Sequence, residues 1–115
     1  MNEQQIQRCV FEHLRARGAP GAFFWHPFSG GYRRPKEAAI YKGLGARAGL
    51  PDVMVLHNGR LFCVELKKEG GRPTEKQLET IAALEAAGGL ACWCAGLDAA
   101  LRVLEGWQLL LGRAS

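Results

Sequence analysis

Two acidic residues and a lysine are spaced so that they could meet on one face of a β-hairpin. Asn58-Gly59 separates two runs of alternating apolar residues, 53–57 and 60–66, which is a strong short-range signal for a hairpin. If those two residues form the loop, the numbers of paired residues always sum to 117. Asp52 therefore lies opposite Glu65. Directly opposed residues project from the same face, with Cβ atoms about 4.5–5.5 Å apart.

Lys67 follows Glu65 by two positions and therefore shares its face of the strand. Two unpaired carboxylates this close repel each other, and a divalent cation between them removes the conflict. Glu65 and Lys67 alone would better fit a solvated ion pair at a strand end, with Asp52 as a turn residue. The computed pairing with Asp52 favours a metal site.

Two further polar residues are predicted to point toward the same region. Glu3 falls on the apolar stripe of the first helix, where an acid is costly without a partner. It could ligate a metal, or reach solvent and cap the first turn. Gln77 lies on the inward side of a later helix, but Thr74-x-x-Gln77 also fits a capping box. Active-site support and capping remain open for Gln77.

The periodicity predicts an α/β domain with a mixed four-stranded sheet flanked by helices, in the order α-β-α-β-β-α-β-α. We expect the 115 residues to form a single domain. The predicted helices are 2–17, 35–42, 74–87 and about 97–104, and the predicted strands are 22–26, 53–57, 60–66 and 90–95. The leucine-rich segment from Leu97 to Leu111 could complete the core or form a dimer face, and the pattern does not decide between them.

The charge pattern points to a polyanionic partner. The net charge is only +4, but the segment from Arg33 to Arg47 carries five basic residues against Glu37 alone. A solvated loop would look similar. Those five residues are Arg33, Arg34, Lys36, Lys42 and Arg47.

The remaining composition excludes several classes of protein. No apolar run approaches the roughly 20 residues that span a bilayer, and the N-terminus does not resemble a secretory signal, so we expect a cytoplasmic protein without a membrane partner. The cysteines lack zinc-knuckle spacing and are expected to be core thiols. They are Cys9, Cys63, Cys92 and Cys94.

The combined motifs resemble a known nuclease family. Gly49-Leu50-Pro51-Asp52, then Val64-Glu65-Leu66-Lys67 and Gln77, resemble the PD-(D/E)xK nuclease superfamily, and within it the virus-type replication-repair nuclease (VRR-NUC) domain. Glu3 and the basic segment also fit, so the resemblance extends from Glu3 to about Gly96. It implies a restriction-endonuclease-like core.

The resemblance implies a metal-dependent endonuclease that hydrolyses phosphodiester bonds in DNA. Asp52 and Glu65 would hold Mg²⁺ or Mn²⁺, together with the Leu66 carbonyl and Glu3. Lys67 would orient the attacking water or neutralise the transition state, and Gln77 would position Lys67 or the phosphate. The residues expected to contact DNA are Tyr32, Arg33, Arg34, Lys36, Lys42, Arg47, Lys68 and Arg72.

Stand-alone VRR-NUC proteins resemble Holliday-junction resolvases, act as homodimers and are common in phages and prophages. We therefore expect branched or four-way-junction DNA, a homodimer and a bacterial or phage-infected host cell. The alternatives are a nicking or restriction-like nuclease on linear duplex DNA and a non-catalytic DNA-binding phage accessory protein.

The histidines are assigned no catalytic role. The hairpin register places His57 on the sheet face opposite Asp52. His26 precedes a proline at a strand end, where contact with DNA is the less favoured role.

Overall fold

The computed structural model describes residues 1–28 and 34–112, and its elements follow the predicted order. The predicted residues Tyr32 and Arg33 lie outside the described residues. The elements are α1 (Glu3–Arg17), β1 (Phe23–Trp25), α2 (Pro35–Gly43), β2 (Val53–His57), β3 (Arg60–Lys67), α3 (Glu75–Ala86), β4 (Leu90–Ala95) and α4 (Leu97–Gly106).

The four strands form one mixed sheet in the order β1-β2-β3-β4. β1 pairs with β2 and β2 with β3 in antiparallel fashion, whereas β3 and β4 are parallel and are joined through α3. A parallel pair needs such a crossover, because a tight turn can only reverse the chain direction. The predicted mixed α/β sheet is confirmed.

Side-chain alternation along the strands creates two apolar layers. Val53, Val55 and Val64 pack on one face together with α1 and α4. Met54 and Cys63 pack on the other face with Ile81 of α3 and with Ala91. Since a strand residue and its neighbour point to opposite faces, both sides of the β2–β3 hairpin are held by packing.

The C-terminal leucines complete the core. Leu101 and Leu104 of α4 are buried in the layer with α1, as are Leu109 and Leu110 beyond the helix. Leu111 is half exposed. The sequence left open whether this segment completes the core or forms a dimer face. Most of it completes the core of its own chain.

The turn of the hairpin has the backbone conformation that its sequence predicts. Asn58 and Gly59 have φ angles of 50° and 78°, the left-handed values that a two-residue type I′ turn requires. The pairs Val53↔Val64 and His57↔Arg60 follow the predicted register. This turn therefore fixes which residues face each other at the far end of the hairpin.

Cysteine burial agrees in part with the prediction of core thiols. Within the described residues the four cysteines are free thiols, with Cys63 and Cys94 buried and the other two half-buried. Neither stretch that the structure describes, 1–28 or 34–112, includes a helix of sufficient length and apolarity to span a membrane.

Substituting Gly59 with alanine should destabilise the protein by about 1–2 kcal/mol, because an L-residue at a left-handed φ brings Cβ too close to the backbone carbonyl. Thermal unfolding should show a lower Tm, by roughly 4–8 °C for each kcal/mol in a domain near 100 residues. Gly43→Ala is the control, since a Cβ added there on α2 meets nothing within 4 Å. Equal Tm values for Gly59→Ala and the parent would contradict the turn conformation.

Candidate active site

Asp52 and Glu65 meet at the open end of the β2–β3 hairpin. Val53 pairs with Val64, so the next position outward sets Asp52 against Glu65. Glu65 lies within β3 and Asp52 immediately precedes β2. Their carboxyl groups are within hydrogen-bonding reach of each other. The sequence-derived register thus brings the two acids together as predicted.

Two hydrogen bonds hold Asp52 in place. The Leu66 backbone N–H donates to Asp52 Oδ2 at 2.9 Å. His26 Nδ1 lies 2.8 Å from the Asp52 carbonyl oxygen. A carbonyl oxygen can only accept, so His26 must carry its proton on Nδ1. One carboxylate oxygen is therefore used for anchoring, and the backbone of Asp52 is tied to the end of β1.

Glu65 is a buried acid in an unfavourable environment. Its residue is only 3 % exposed. Burial and the neighbouring Asp52 carboxyl group raise the pKa of Glu65 from 4.5 to about 9, with a small further rise from Glu3, while the Lys67 ammonium opposes the shift. Without a cation, this raised pKa favours the protonated form of Glu65, which can donate its proton in a hydrogen bond to Asp52.

Lys67 supplies the positive charge of the site. Its side chain is largely buried, and its Nζ lies 3.8 Å from Glu3 Oε1. At this distance the two groups form an ion pair but are too far apart for a direct hydrogen bond. Glu3 is half exposed and reaches the site from the first turn of α1. The structure thus sets Glu3 beside Lys67, whereas its ligation of a metal stays a prediction.

Gln77 adopts the capping arrangement that was one of its two predicted roles. Its side-chain oxygen accepts from the Thr74 N–H at 2.9 Å, while Thr74 Oγ1 accepts from the Gln77 N–H at 3.2 Å. This capping box starts α3. The side-chain oxygen of Gln77 is therefore engaged within its own helix, and a catalytic role for Gln77 stays a prediction.

The donor set fits a cation that prefers oxygen ligands and keeps water. Within residues 1–28 and 34–112, no three His, Cys, Asp or Glu side chains cluster closely enough to enclose a metal. Mg²⁺ does not need such an enclosure, because it is commonly held by one or two carboxylates plus waters. The carboxyl pair of buried Glu65 and half-buried Asp52 has the oxygen atoms and, once Glu65 ionises, the negative charge for such an ion.

The described basic residues predicted to contact DNA are all exposed. Arg34 precedes α2, and α2 has no buried residue, so Lys36 and Lys42 project into solvent. Arg47 follows in the connection to β2, and Lys68 and Arg72 follow β3. Arg34, Lys36, Lys42 and Arg47 form an exposed basic stretch in and around α2, named here the α2 segment. Lys68 and Arg72 adjoin the Glu65–Lys67 end of β3.

The hydrogen bond between His26 and the Asp52 backbone was not predicted from the sequence. Its contact with Asp52 depends on the pairing of β1 with β2, whose residues are about 30 positions apart. No turn motif links these strands, so the sequence offers no register calculation like that of the hairpin. The sequence indicated that His26 lies at a strand end, but it did not indicate that His26 contacts Asp52.

Comparison with solved structures relates the fold to one domain family. A VRR_NUC domain protein superimposes with a TM-score of 0.79 at 25 % identity, covering 95 % of this chain and 90 % of that one. Another structure, described as a VRR_NUC domain, has a TM-score of 0.63 at 20 % identity, covering 91 % and 96 %, and shows likeness of fold alone. No family model and no curated protein matches the sequence.

The metal-free protein should lose stability as pH rises from about 4.5 to about 9. The folded state keeps the Glu65 proton through this range, whereas the unfolded chain releases it above its ordinary pKa. The unfolded state therefore binds fewer protons, and raising the pH favours unfolding. Tm measured across this range in a chelator should fall less steeply for Glu65→Gln than for the parent.

Glu79→Gln provides the matched control, because Glu79 is an exposed acid on α3. Its Tm should follow pH as the parent's does. If Glu65→Gln shows the parent's slope, the raised pKa of Glu65 is wrong.

Proposed function

Because the chain has the fold of a VRR-NUC domain, we propose that it is a metal-dependent DNA endonuclease that hydrolyses phosphodiester bonds and prefers branched DNA. The observation that carries this proposal is the carboxyl pair of buried Glu65 and half-buried Asp52, with Lys67 on the same strand end. Structural likeness to VRR_NUC proteins supports the same class of enzyme.

The residues that would hold Mg²⁺ or Mn²⁺ are Asp52 and Glu65, with the Leu66 carbonyl and with Glu3 acting directly or through water. Binding requires Glu65 to release its proton, because a protonated carboxyl group is a poor ligand. The bound ion would supply Lewis acidity, which makes a water acidic enough to attack a phosphate at neutral pH. Leu66 contributes twice, since its N–H also anchors Asp52.

Lys67 would neutralise charge that develops on the phosphate or orient the attacking water. Its partly desolvated ammonium group interacts more strongly with an anion than an exposed lysine would. Glu3, 3.8 Å away, would keep the ammonium group at the site in the absence of substrate. Gln77, whose side chain caps the first turn of α3, would position Lys67 or the phosphate.

DNA would be held chiefly through its phosphates. The exposed basic residues of the α2 segment can neutralise phosphates without contacting base edges, which favours recognition of DNA shape over sequence. Lys68 and Arg72 would act nearer the scissile phosphate. The resemblance of the sequence to VRR-NUC nucleases supports a branched substrate.

A four-way junction needs two symmetric cuts, so we further propose a twofold homodimer with one active site per protomer. Mapping the cut positions separates this proposal from a nuclease of linear duplexes. Paired cuts at the branch point support the junction, whereas equal cutting of linear duplex DNA supports the alternative.

Glu65→Ala should abolish Mg²⁺- or Mn²⁺-dependent cleavage of a labelled four-way junction, and Lys67→Ala should slow it about 10²- to 10³-fold. DNA binding should change little in either variant, because the phosphate contacts lie elsewhere. Glu79→Gln should cut as the parent does, and a chelator should stop cutting by every protein. Cleavage by Glu65→Ala at the parent's rate would refute the assigned site.

Mg²⁺ should raise the Tm of the parent at pH about 7, because a ligand that binds only the folded state stabilises it by mass action. Glu65→Gln should lose most of this rise, since an amide cannot supply the carboxylate charge. An equal rise in both proteins would place the ion elsewhere. This measurement does not depend on finding the right DNA substrate.

Charge reversal of Arg34, Lys36 and Lys42 should weaken DNA binding and make it less sensitive to salt. Each phosphate contact that is lost should lower the slope of log K against log salt by about 1. Arg102→Glu, at an exposed position on α4, is the matched control. Unchanged affinity and slope in the triple variant would remove the α2 segment from the DNA footprint.

A further inference from the structure

Two cysteine thiols lie side by side on β4, the edge strand next to β3. Cys92 and Cys94 are two positions apart, so strand alternation directs both side chains to the same face of the sheet. Their thiol groups are within hydrogen-bonding reach of each other. This face carries the core layer with α1 and α4, whereas Glu65 points to the opposite face.

The two thiols differ in their access to solvent. Cys94 is only 5 % exposed, whereas Cys92 is half-buried. The hydrogen bond from Cys94 lowers the pKa of Cys92, although burial and Glu85 oppose this shift. The same contact and burial raise the pKa of Cys94. Since the thiolate is the reactive form of cysteine, the more reactive thiol is also the more accessible one.

The other two cysteines are placed differently. Cys63 is fully buried on the α3 face of the sheet, and burial together with Cys92 raises its pKa to about 11. Cys9 is half-buried on α1, which contains no second cysteine. Of the four thiols, only Cys92 therefore combines partial exposure with a neighbouring thiol on its own face of the sheet.

Partial exposure beside a second thiol is typical of cysteines that are oxidised reversibly. We propose that Cys92 is a site of oxidation by hydroperoxides and that Cys94 converts the oxidised thiol to a Cys92–Cys94 disulfide. This thiol chemistry does not depend on the proposed nuclease function.

The two steps balance as a two-electron oxidation of the thiols by the peroxide. The Cys92 thiolate attacks one peroxide oxygen, so an S–O bond forms, the O–O bond breaks and hydroxide or alkoxide leaves. The Cys94 sulfur then attacks the Cys92 sulfur, forming the S–S bond. The hydroxyl group leaves Cys92 and takes the Cys94 proton as water. A dithiol reductant reverses the oxidation by thiol–disulfide exchange.

The disulfide is expected to change the backbone beside the carboxyl pair. Trp93, between the two cysteines, pairs with Glu65 in the parallel ladder of β3 and β4. Two strand residues span about 6.6 Å between Cα atoms, near the upper end of the range of about 4.4–6.8 Å for disulfides. Closing the bond therefore favours a bend at Trp93. β4 pairs with a strand on one side only, which makes such a bend easier than in a central strand.

The first test follows the oxidation by mass spectrometry. Protein that has been reduced and freed of reductant is treated with hydrogen peroxide, and the peptide with both cysteines should lose two hydrogen atoms. Cys94→Ala should leave Cys92 as a sulfenic acid, which dimedone traps, because no adjacent thiol resolves it. Cys92→Ala should give neither product. Cys9→Ser is the matched control, since Cys9 is also half-buried, and should form the parent's disulfide.

Absence of the disulfide in the parent would overturn the proposal, as would dimedone labelling of Cys9 at the rate of Cys92. The measurement on the parent needs no substitution, so it decides the question even if Cys94→Ala, which alters a core position, fails to fold.

Cutting of a four-way junction, after peroxide is removed, measures the consequence for the proposed nuclease. The oxidised parent should cut about 10-fold or more slowly, because a displacement of about 1 Å can cost about 10²-fold in rate. Dithiothreitol should restore the rate. Cys92→Ala should cut as the reduced parent does, before and after peroxide.

The outcomes separate the thiol site from the nuclease proposal. If the disulfide forms but the reduced parent cuts no DNA, the nuclease proposal fails and the thiol assignment stands. If the reduced parent cuts junctions but no disulfide forms, the thiol assignment is overturned and the nuclease proposal stands. If the disulfide forms and cutting is unchanged, the expected effect of β4 on the carboxyl pair is overturned.

Discussion

Two carboxyl groups forced together at a buried strand end are the constraint on which the rest of this structure depends. Desolvation and mutual repulsion both oppose ionisation, so the pKa of Glu65 rises to about 9. The fold holds the pair through contacts from outside it: the Leu66 N–H and His26 fix Asp52, while Lys67 offsets part of the negative charge. Apolar packing on both faces of the hairpin offsets the free-energy cost of holding the two acids together.

The parts of the site that could be predicted from sequence are those defined by local signals. Asn58-Gly59 fixes a turn, the turn fixes the register, and the register brings Asp52 to Glu65 without any knowledge of the remaining chain. The start of α3 was predictable for the same reason, because the capping box of Thr74 and Gln77 acts within its own first turn. Each inference spans few residues and needs no tertiary contact.

The parts that could not be predicted depend on contacts between distant segments. His26 matters only because β1 lies against β2, and no motif sets that register. Arg8 and Arg15 have the pattern of ordinary exposed residues on an amphipathic helix, and they line a groove only once β1 is placed beside α1. The sequence fitted active-site support and helix capping equally well for Gln77, and the hydrogen bonds of the folded chain show capping.

An acidic site that acts on a polyanion faces an electrostatic problem that explains the distribution of charge. The carboxyl pair by itself would repel a DNA backbone, and a buried Lys67 cannot attract one from a distance because its charge is offset by Glu3. Attraction must therefore come from residues outside the site. The α2 segment has no buried residue and can present its cations to solvent, and Arg8 and Arg15 are exposed on α1. The residues that attract DNA are then different from those that hold the ion. The hairpin can therefore stay rigid while other residues capture a phosphate.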